Sequence, residues 1–220
     1  MGTEKFLTQK RKLKKLNHAL YCITSEEYSC GRRTLDVARQ IITSGVKILQ
    51  YREKEKTKKE KFKEARKIIL LARKAGATFI VNDDIDLALA LKADGVHLGQ
   101  QDLPITEARK LVGNEMIIGV STHSPKQAQE AVRAGADYIG VGPLYPTTTK
   151  KDVCPAVGLE YLDYVVKNIN IPFVAIGGIK LHNLKEVLNH GARCVAMVTE
   201  IISAPNIPLR IRLAFKELSL

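Results

Sequence analysis

Eight short runs rich in Val, Ile, Tyr and Phe recur along the chain, and the interval after each holds one amphipathic helical stretch. The runs are ALYCIT (19–24), VKILQYR (46–52), TFIVN (78–82), DGVHL (94–98), MIIGV (116–120), DYIGV (137–141), PFVAI (172–176) and RCVAM (193–197). The first interval predicts a helix over about 34–45. Gly45, Gly76, Gly135 and Gly191 stand where a helix ends before the next strand, a place where glycine adopts a left-handed backbone cheaply. The runs are nearly continuous in apolar residues, so both faces of each strand must be covered, as in a parallel sheet flanked by helices. Eight such strands can close on themselves and remove the sheet edges. The expected fold is therefore α/β, a single (β/α)8 TIM barrel. No GxGxxG follows the first run, which weakens the competing doubly wound, dinucleotide-binding reading.

A length of 220 residues suits one such domain, with a basic N-terminal extension over 1–18 and the barrel catalytic domain over 19–220. The extension sets Phe6, Leu7, Leu13 and Leu16 among its lysines and reads as a short helix covering one barrel end. It lacks the apolar core of a signal peptide, and no apolar run reaches the ~18 residues of a membrane span, so a cytoplasmic protein without a membrane partner is expected. Cys22, Cys30, Cys154 and Cys194 do not fall at zinc-site or CxxC spacings, which fits a reducing compartment. The net charge of +12 favours acidic partners: nucleic acid, an anionic membrane or phosphorylated metabolites. Much of the excess lies in 5–15 and in the Lys/Glu-rich helical stretch 54–74, the latter a typical solvated exterior. With no Trp and no RRM, KH or HTH pattern, nucleic acid is set aside and small phosphorylated substrates are expected. No motif specifies an oligomeric state.

In a barrel of this kind the reactive groups come from the C-terminal strand ends and the loops after them. Gln50, Arg52 and Lys54 are spaced by two and share a face, while Tyr51 and Glu53 point the other way. Asn82-Asp83-Asp84 after the third run and Gln100-Gln101-Asp102 after the fourth bring carboxylates to one rim. Such a sparse oxygen set suits Mg²⁺, with Asp83 and Asp102 as ligands, whereas Asp84 or Asp86 can instead cap the helix that starts there. The loop GPLYPTTTKKDVCPAVG (142–158) is long and supplies Thr147, Thr148, Thr149 and Lys150 as donors, in the manner of a lid. Gly177-Gly178 and Val198-Thr199 follow the last two runs, where barrels recurrently bind phosphate. Two anion sites imply two phosphorylated substrates. No GxSxG or other nucleophile signature is present, and His18, His97, His123, His182 and His190 form no metal motif. His97 is the histidine best placed to face the mouth, with an ordinary strand histidine as the alternative.

The segments QYREK (50–54), FIVNDDIDLALALKADGVHLGQQDLP (79–104), IIGVSTHS (117–124), ADYIGVGPLYPTTTKKD (136–152) and IPFVAIGGI (171–179) closely resemble the thiamine-phosphate synthase family over about 20–204. The resemblance implies the joining of hydroxymethylpyrimidine diphosphate to thiazole phosphate, giving thiamine monophosphate and pyrophosphate with Mg²⁺ as cofactor. It assigns the pyrimidine diphosphate to Gln50, Tyr51, Arg52, Glu53 and Lys54 of the QYREK segment, with Asn82, Ser121 and Lys150. Within that set, Arg52, Lys54, Ser121 and Lys150 are the catalytic residues. The resemblance gives Mg²⁺ to Asp83 and Asp102, and the thiazole phosphate to Thr147, Thr148, Thr149, Gly178, Val198 and Thr199. Tyr51 stands where the family commonly has leucine and Thr199 where it commonly has serine; neither change removes a needed group. The thiazole tautomerase-like branch is the nearest rival, and retention of Asn82, Asp83, Asp102 and Lys150 favours the synthase.

Overall fold

The computed structural model describes residues 13–17, 19–149 and 154–218. Eight strands run β1 (Ala19–Ile23), β2 (Ile48–Tyr51), β3 (Thr78–Asn82), β4 (Gly95–Leu98), β5 (Ile117–Thr122), β6 (Tyr138–Val141), β7 (Phe173–Ala175) and β8 (Cys194–Met197). They pair in sequence order, all parallel, and β8 returns to β1 to close the barrel. The intervening helices are α1 (Thr34–Thr43), α2 (Lys58–Lys74), α3 (Ile85–Leu91), α4 (Ile105–Val112), α5 (Pro125–Arg133), α6 (Gly158–Asn168) and α7 (Leu181–Asn189). A short α8 (Thr199–Ile202) and α9 (Ile207–Glu217) follow β8. The first helix stops at Thr43 because Gly45 turns left-handed, with φ 95°. Strand β5 runs past the expected end to Thr122, so Ser121 belongs to a strand and is held by its pairing with Gly140.

Strand alternation splits the core into two layers. Tyr21, Ile48, Ile80, Ile117, Tyr138 and Val174 fill the barrel interior. Leu20, Cys22, Leu49, Phe79, Val96 and Val195 point outward into the shell between strands and helices. Burying each such side chain contributes about 1.5–3 kcal/mol, which is why near-continuous apolar runs settle here and not on an open sheet. Gly119 is required inside: a Cβ on it would lie 2.1 Å from the Tyr138 ring, so the missing side chain gives the tyrosine room to cross the barrel. At the N-terminal end of the strands a 3₁₀ turn, Lys14–Leu16, places Leu16 against this inner cluster with Leu13 packed beside it. The rest of the basic extension, residues 1–12 and 18, lies outside the described residues. Among the described residues no helix is long and apolar enough to cross a membrane.

Candidate active site

The C-terminal strand ends open into one cavity of about 630 Å³. From β2 and the residues after it, Gln50, Arg52 and Lys54 line this cavity. The Arg52 amide is fixed by donating to Thr24 Oγ1 at 3.0 Å. Tyr51 and Glu53, expected with them at the substrate, do not line it. Period-two alternation turns Tyr51 into the outer shell, where it stacks on Phe79 and donates to Glu64 at 2.9 Å. Glu53 is buried beside α1, accepting from Thr34 Oγ1 at 2.7 Å and from the Glu26 amide at 3.1 Å. Burial pushes its carboxyl above the usual range against those hydrogen bonds. Both residues brace the strand end that carries Arg52 and Lys54.

Asp83 follows β3 with φ 59°, an uncommon left-handed conformation for a residue with a side chain, and lines the cavity with Asn82. Its Oδ2 accepts from Lys54 Nζ at 2.5 Å. Asp102 Oδ2 accepts from the Gly99 amide at 2.6 Å, and the two carboxyl groups are within hydrogen-bonding reach of each other. Burial raises Asp83, but the Lys54 ammonium outweighs it and holds the carboxyl below the usual range. Burial and then the Asp83 charge push Asp102 above that range, despite the Gly99 amide. Adjacent like charges made of hard oxygens fit a divalent cation that completes its shell with water and phosphate. Among the described residues no group of three or more His, Cys, Asp or Glu forms a closed metal cage, so the fit is to a sparse site only. Asp84 stands at the N-cap of α3 but makes no side-chain cap; Asp84 and Asp86 pair with Lys58 at 2.5 and 2.7 Å, and Asp84 also pairs with Lys61 at 3.0 Å.

The opposite wall is made by Thr147, Thr148, Thr149, Gly178, Val198 and Thr199. Thr147 Oγ1 accepts from the Thr149 amide at 3.3 Å, and Tyr28 reaches from the loop after β1 to donate to the Thr148 carbonyl at 3.2 Å. A Cβ on Gly178 would sit 2.7 Å from Tyr145 Cβ, and its φ is 65°, so glycine here lets the loop after β6 lie against the loop after β7. Lys150 and residues 151–153 lie outside the described residues. Sequence reasoning missed Lys180, which lines the cavity with its Nζ 2.9 Å from Thr199 Oγ1. Its only signal was a cation two positions after the glycine pair.

Ser121 and His97 also line the cavity, 2.9 Å apart from Oγ to Nε2. His97 Nδ1 lies 2.8 Å from the Tyr138 hydroxyl, so this histidine does face the mouth. The cavity thus carries Arg52, Lys54 and the Asp83 carboxylate on one wall and hydroxyls with glycine backbone on the other, while Asp102 does not line it. That arrangement can hold two anionic ligands side by side.

A family model described as thiamine monophosphate synthase matches residues 20–201. A thiamine-phosphate synthase of Pelotomaculum thermopropionicum is 58% identical over 193 residues, 88% of each chain. One of Lawsonia intracellularis is 57% identical over 197 residues, covering 90% of this chain and 91% of the relative. Among solved structures, a thiamine phosphate pyrophosphorylase from Pyrococcus furiosus superposes with a TM-score of 0.84 at 33% identity, covering 92% of this chain and 96% of that one.

Proposed function

The chain belongs to the thiamine monophosphate synthase family, and on that premise we propose that it is a transferase joining hydroxymethylpyrimidine diphosphate to thiazole phosphate. The products are thiamine monophosphate and pyrophosphate. The observation that carries this reading is the single cavity in which Arg52, Lys54, Asn82 and Asp83 face Thr147, Thr149, Gly178 and Thr199. Two phosphorylated ligands entering there would meet with their reactive rings between the two walls.

The chemistry asks for charge and position, not a nucleophile. The C–O bond at the pyrimidine methylene breaks with its electrons leaving on the diphosphate, and the thiazole nitrogen lone pair then forms the new C–N bond. No proton has to be removed from that nitrogen. Arg52 can grip diphosphate oxygens with its planar fork, while Lys54 and Lys150 add point charges. Asp83 and Asp102 would hold Mg²⁺, which supplies positive charge for the departing diphosphate. The loop after β6 screens the cavity from water that would otherwise quench the cation. All four cysteines are free, which supports a reducing, cytoplasmic location.

The test is a paired-substrate assay with Mg²⁺, following pyrophosphate release and thiamine monophosphate by chromatography. Product is expected only with both substrates. Hydrolysis of the diphosphate without coupling, or turnover of the thiazole alone, overturns the proposal.

A further inference from the structure

The wall assigned to thiazole phosphate offers neutral donors: the hydroxyls of Thr147, Thr148, Thr149 and Thr199, and the backbone at Gly178. Such groups hydrogen-bond an alcohol oxygen as well as a phosphate oxygen, and they balance none of a phosphate's full charge. Among the described residues lining this wall, Lys180 brings the one lysine or arginine charge.

Lys180 is held at both ends. Asn183 Oδ1 accepts from the Lys180 amide at 2.7 Å, and Asn183 Nδ2 donates to the Gly178 carbonyl at 3.1 Å, so one side chain ties the lysine backbone to the glycine turn. At the tip, Lys180 Nζ donates to Thr199 Oγ1 at 2.9 Å. An ammonium can only donate, so the Thr199 oxygen accepts this bond and keeps its own hydrogen for another acceptor. A ligand oxygen that takes that hydrogen lies beside the ammonium, which has three hydrogens and gives one of them to Thr199. One carboxylate competes for the lysine. Glu200 Oε2 is 3.7 Å from Nζ, beyond ordinary hydrogen-bond length, while Glu200 Oε1 accepts from Arg210 at 3.0 Å. The guanidinium answers the nearer share of the Glu200 charge and leaves the ammonium open to an anion in the cavity.

We propose that Lys180 binds the phosphate of the thiazole substrate directly, and that its charge is what makes the site prefer the phosphorylated thiazole over the thiazole alcohol. The inference rests on the synthase reading above. The phosphate takes one hydrogen from the Thr199 hydroxyl and one from the Lys180 ammonium, while Gly178 lets it approach the backbone. The alcohol brings the same ring and an oxygen for the neutral donors, but no charge for the lysine to meet.

Equilibrium binding is the readout: thiazole phosphate and its dephosphorylated alcohol are titrated calorimetrically into the full chain. The Lys180 side chain is 35% exposed, so its charge is partly screened, and Lys180→Met should weaken the phosphate on the order of 10-fold while the alcohol binds as in wild type. The loss should shrink at high salt, and Lys180→Arg, which returns the charge, should recover most of the preference. A lysine that only oriented the Thr199 hydroxyl would also weaken the phosphate alone, and Thr199→Val separates the two cases. In that background Lys180→Met should still weaken the phosphate several-fold, whereas no further loss overturns the proposal. Equal weakening of phosphate and alcohol, or a full preference kept in Lys180→Met, overturns it as well. Wild-type protein that binds neither thiazole strikes the synthase reading and this proposal together; wild-type binding whose preference survives Lys180→Met strikes the proposal alone.

Discussion

Asp102→Asn should make the Mg²⁺-free protein more stable while nearly abolishing its activity. Asparagine matches the shape, keeps an oxygen to accept from the Gly99 amide, and leaves the Lys54–Asp83 pair in place. The substitution therefore removes one negative charge and little else. Two like unit charges ~4 Å apart repel by about 1 kcal/mol in water and about 4 kcal/mol at an effective dielectric near 20. Asp102 is partly open to solvent and Lys54 offsets the Asp83 charge, so the lower end applies and the expected gain is about 0.5–1 kcal/mol at pH 7. Asp102 has a folded pKa above its ordinary value, so the folded protein holds that proton more tightly than the unfolded chain. Ionising it thus costs stability as pH rises through the interval between the two values, and the cost disappears below that interval. The advantage of Asp102→Asn should be full at pH 7 and shrink as pH falls toward ~4. Turnover should drop ~10²–10³-fold, the usual consequence of removing one preorganised electrostatic group. Urea unfolding with a chelator across that pH range gives the first quantity, and Mg²⁺-dependent pyrophosphate release gives the second. A variant destabilised at pH 7, a gain that survives at low pH, or wild-type turnover would refute the reasoning.

Asp83→Ala should lower turnover ~10²–10³-fold with unchanged far-UV circular dichroism, since Asp83 lines the cavity and not the core, and Lys150→Ala should do the same if that lysine holds diphosphate as proposed; wild-type rates in either would remove it from the mechanism. Gly178→Ala forces a Cβ to within 2.7 Å of Tyr145 Cβ at φ 65°, so it should cost about 1–3 kcal/mol and raise the KM for thiazole phosphate, checked by denaturant midpoint and initial rates. Lys56→Met strips the cation from Glu64, which it meets at 2.8 Å, and from Glu26. The loss should be about 1–2 kcal/mol at pH 7, mostly through the better-buried Glu64, because the Glu26 arm is screened by solvent. Lys56 holds the Glu26 carboxyl below its ordinary value, so that contribution is present above the ordinary carboxylate range and lost as pH falls through the lowered value. The gap between Lys56→Met and wild type in thermal melts should accordingly narrow in acid by the Glu26 share.

What the sequence made legible is what short-range periodicity controls. The eight strands are visible because each buries two faces within five or so residues, and the division of 50–54 into Gln50, Arg52 and Lys54 against Tyr51 and Glu53 follows from strand alternation alone. The carboxylates Asp83 and Asp102 could be paired because barrel loops of consecutive strands are neighbours. Lys180 escaped notice because a lysine entering a helix ordinarily faces solvent, and only closure of the barrel brings it beside Thr199. Tyr21 and Tyr138 escaped for a different reason. They are 117 positions apart, each looks like another large residue in an apolar strand, and neither local pattern states that their hydroxyls meet. Gly119 is the trace that such an arrangement leaves in the sequence. A glycine inside a strand weakens it, and in this barrel that weakness is offset because a side chain there would collide with the tyrosine that joins His97 to Gln50 through Tyr21. Filling that space with Gly119→Ala should therefore destabilise the protein by about 1–3 kcal/mol in urea unfolding, since the displaced group is the buried Tyr138 ring, and an unchanged midpoint would refute the packing argument.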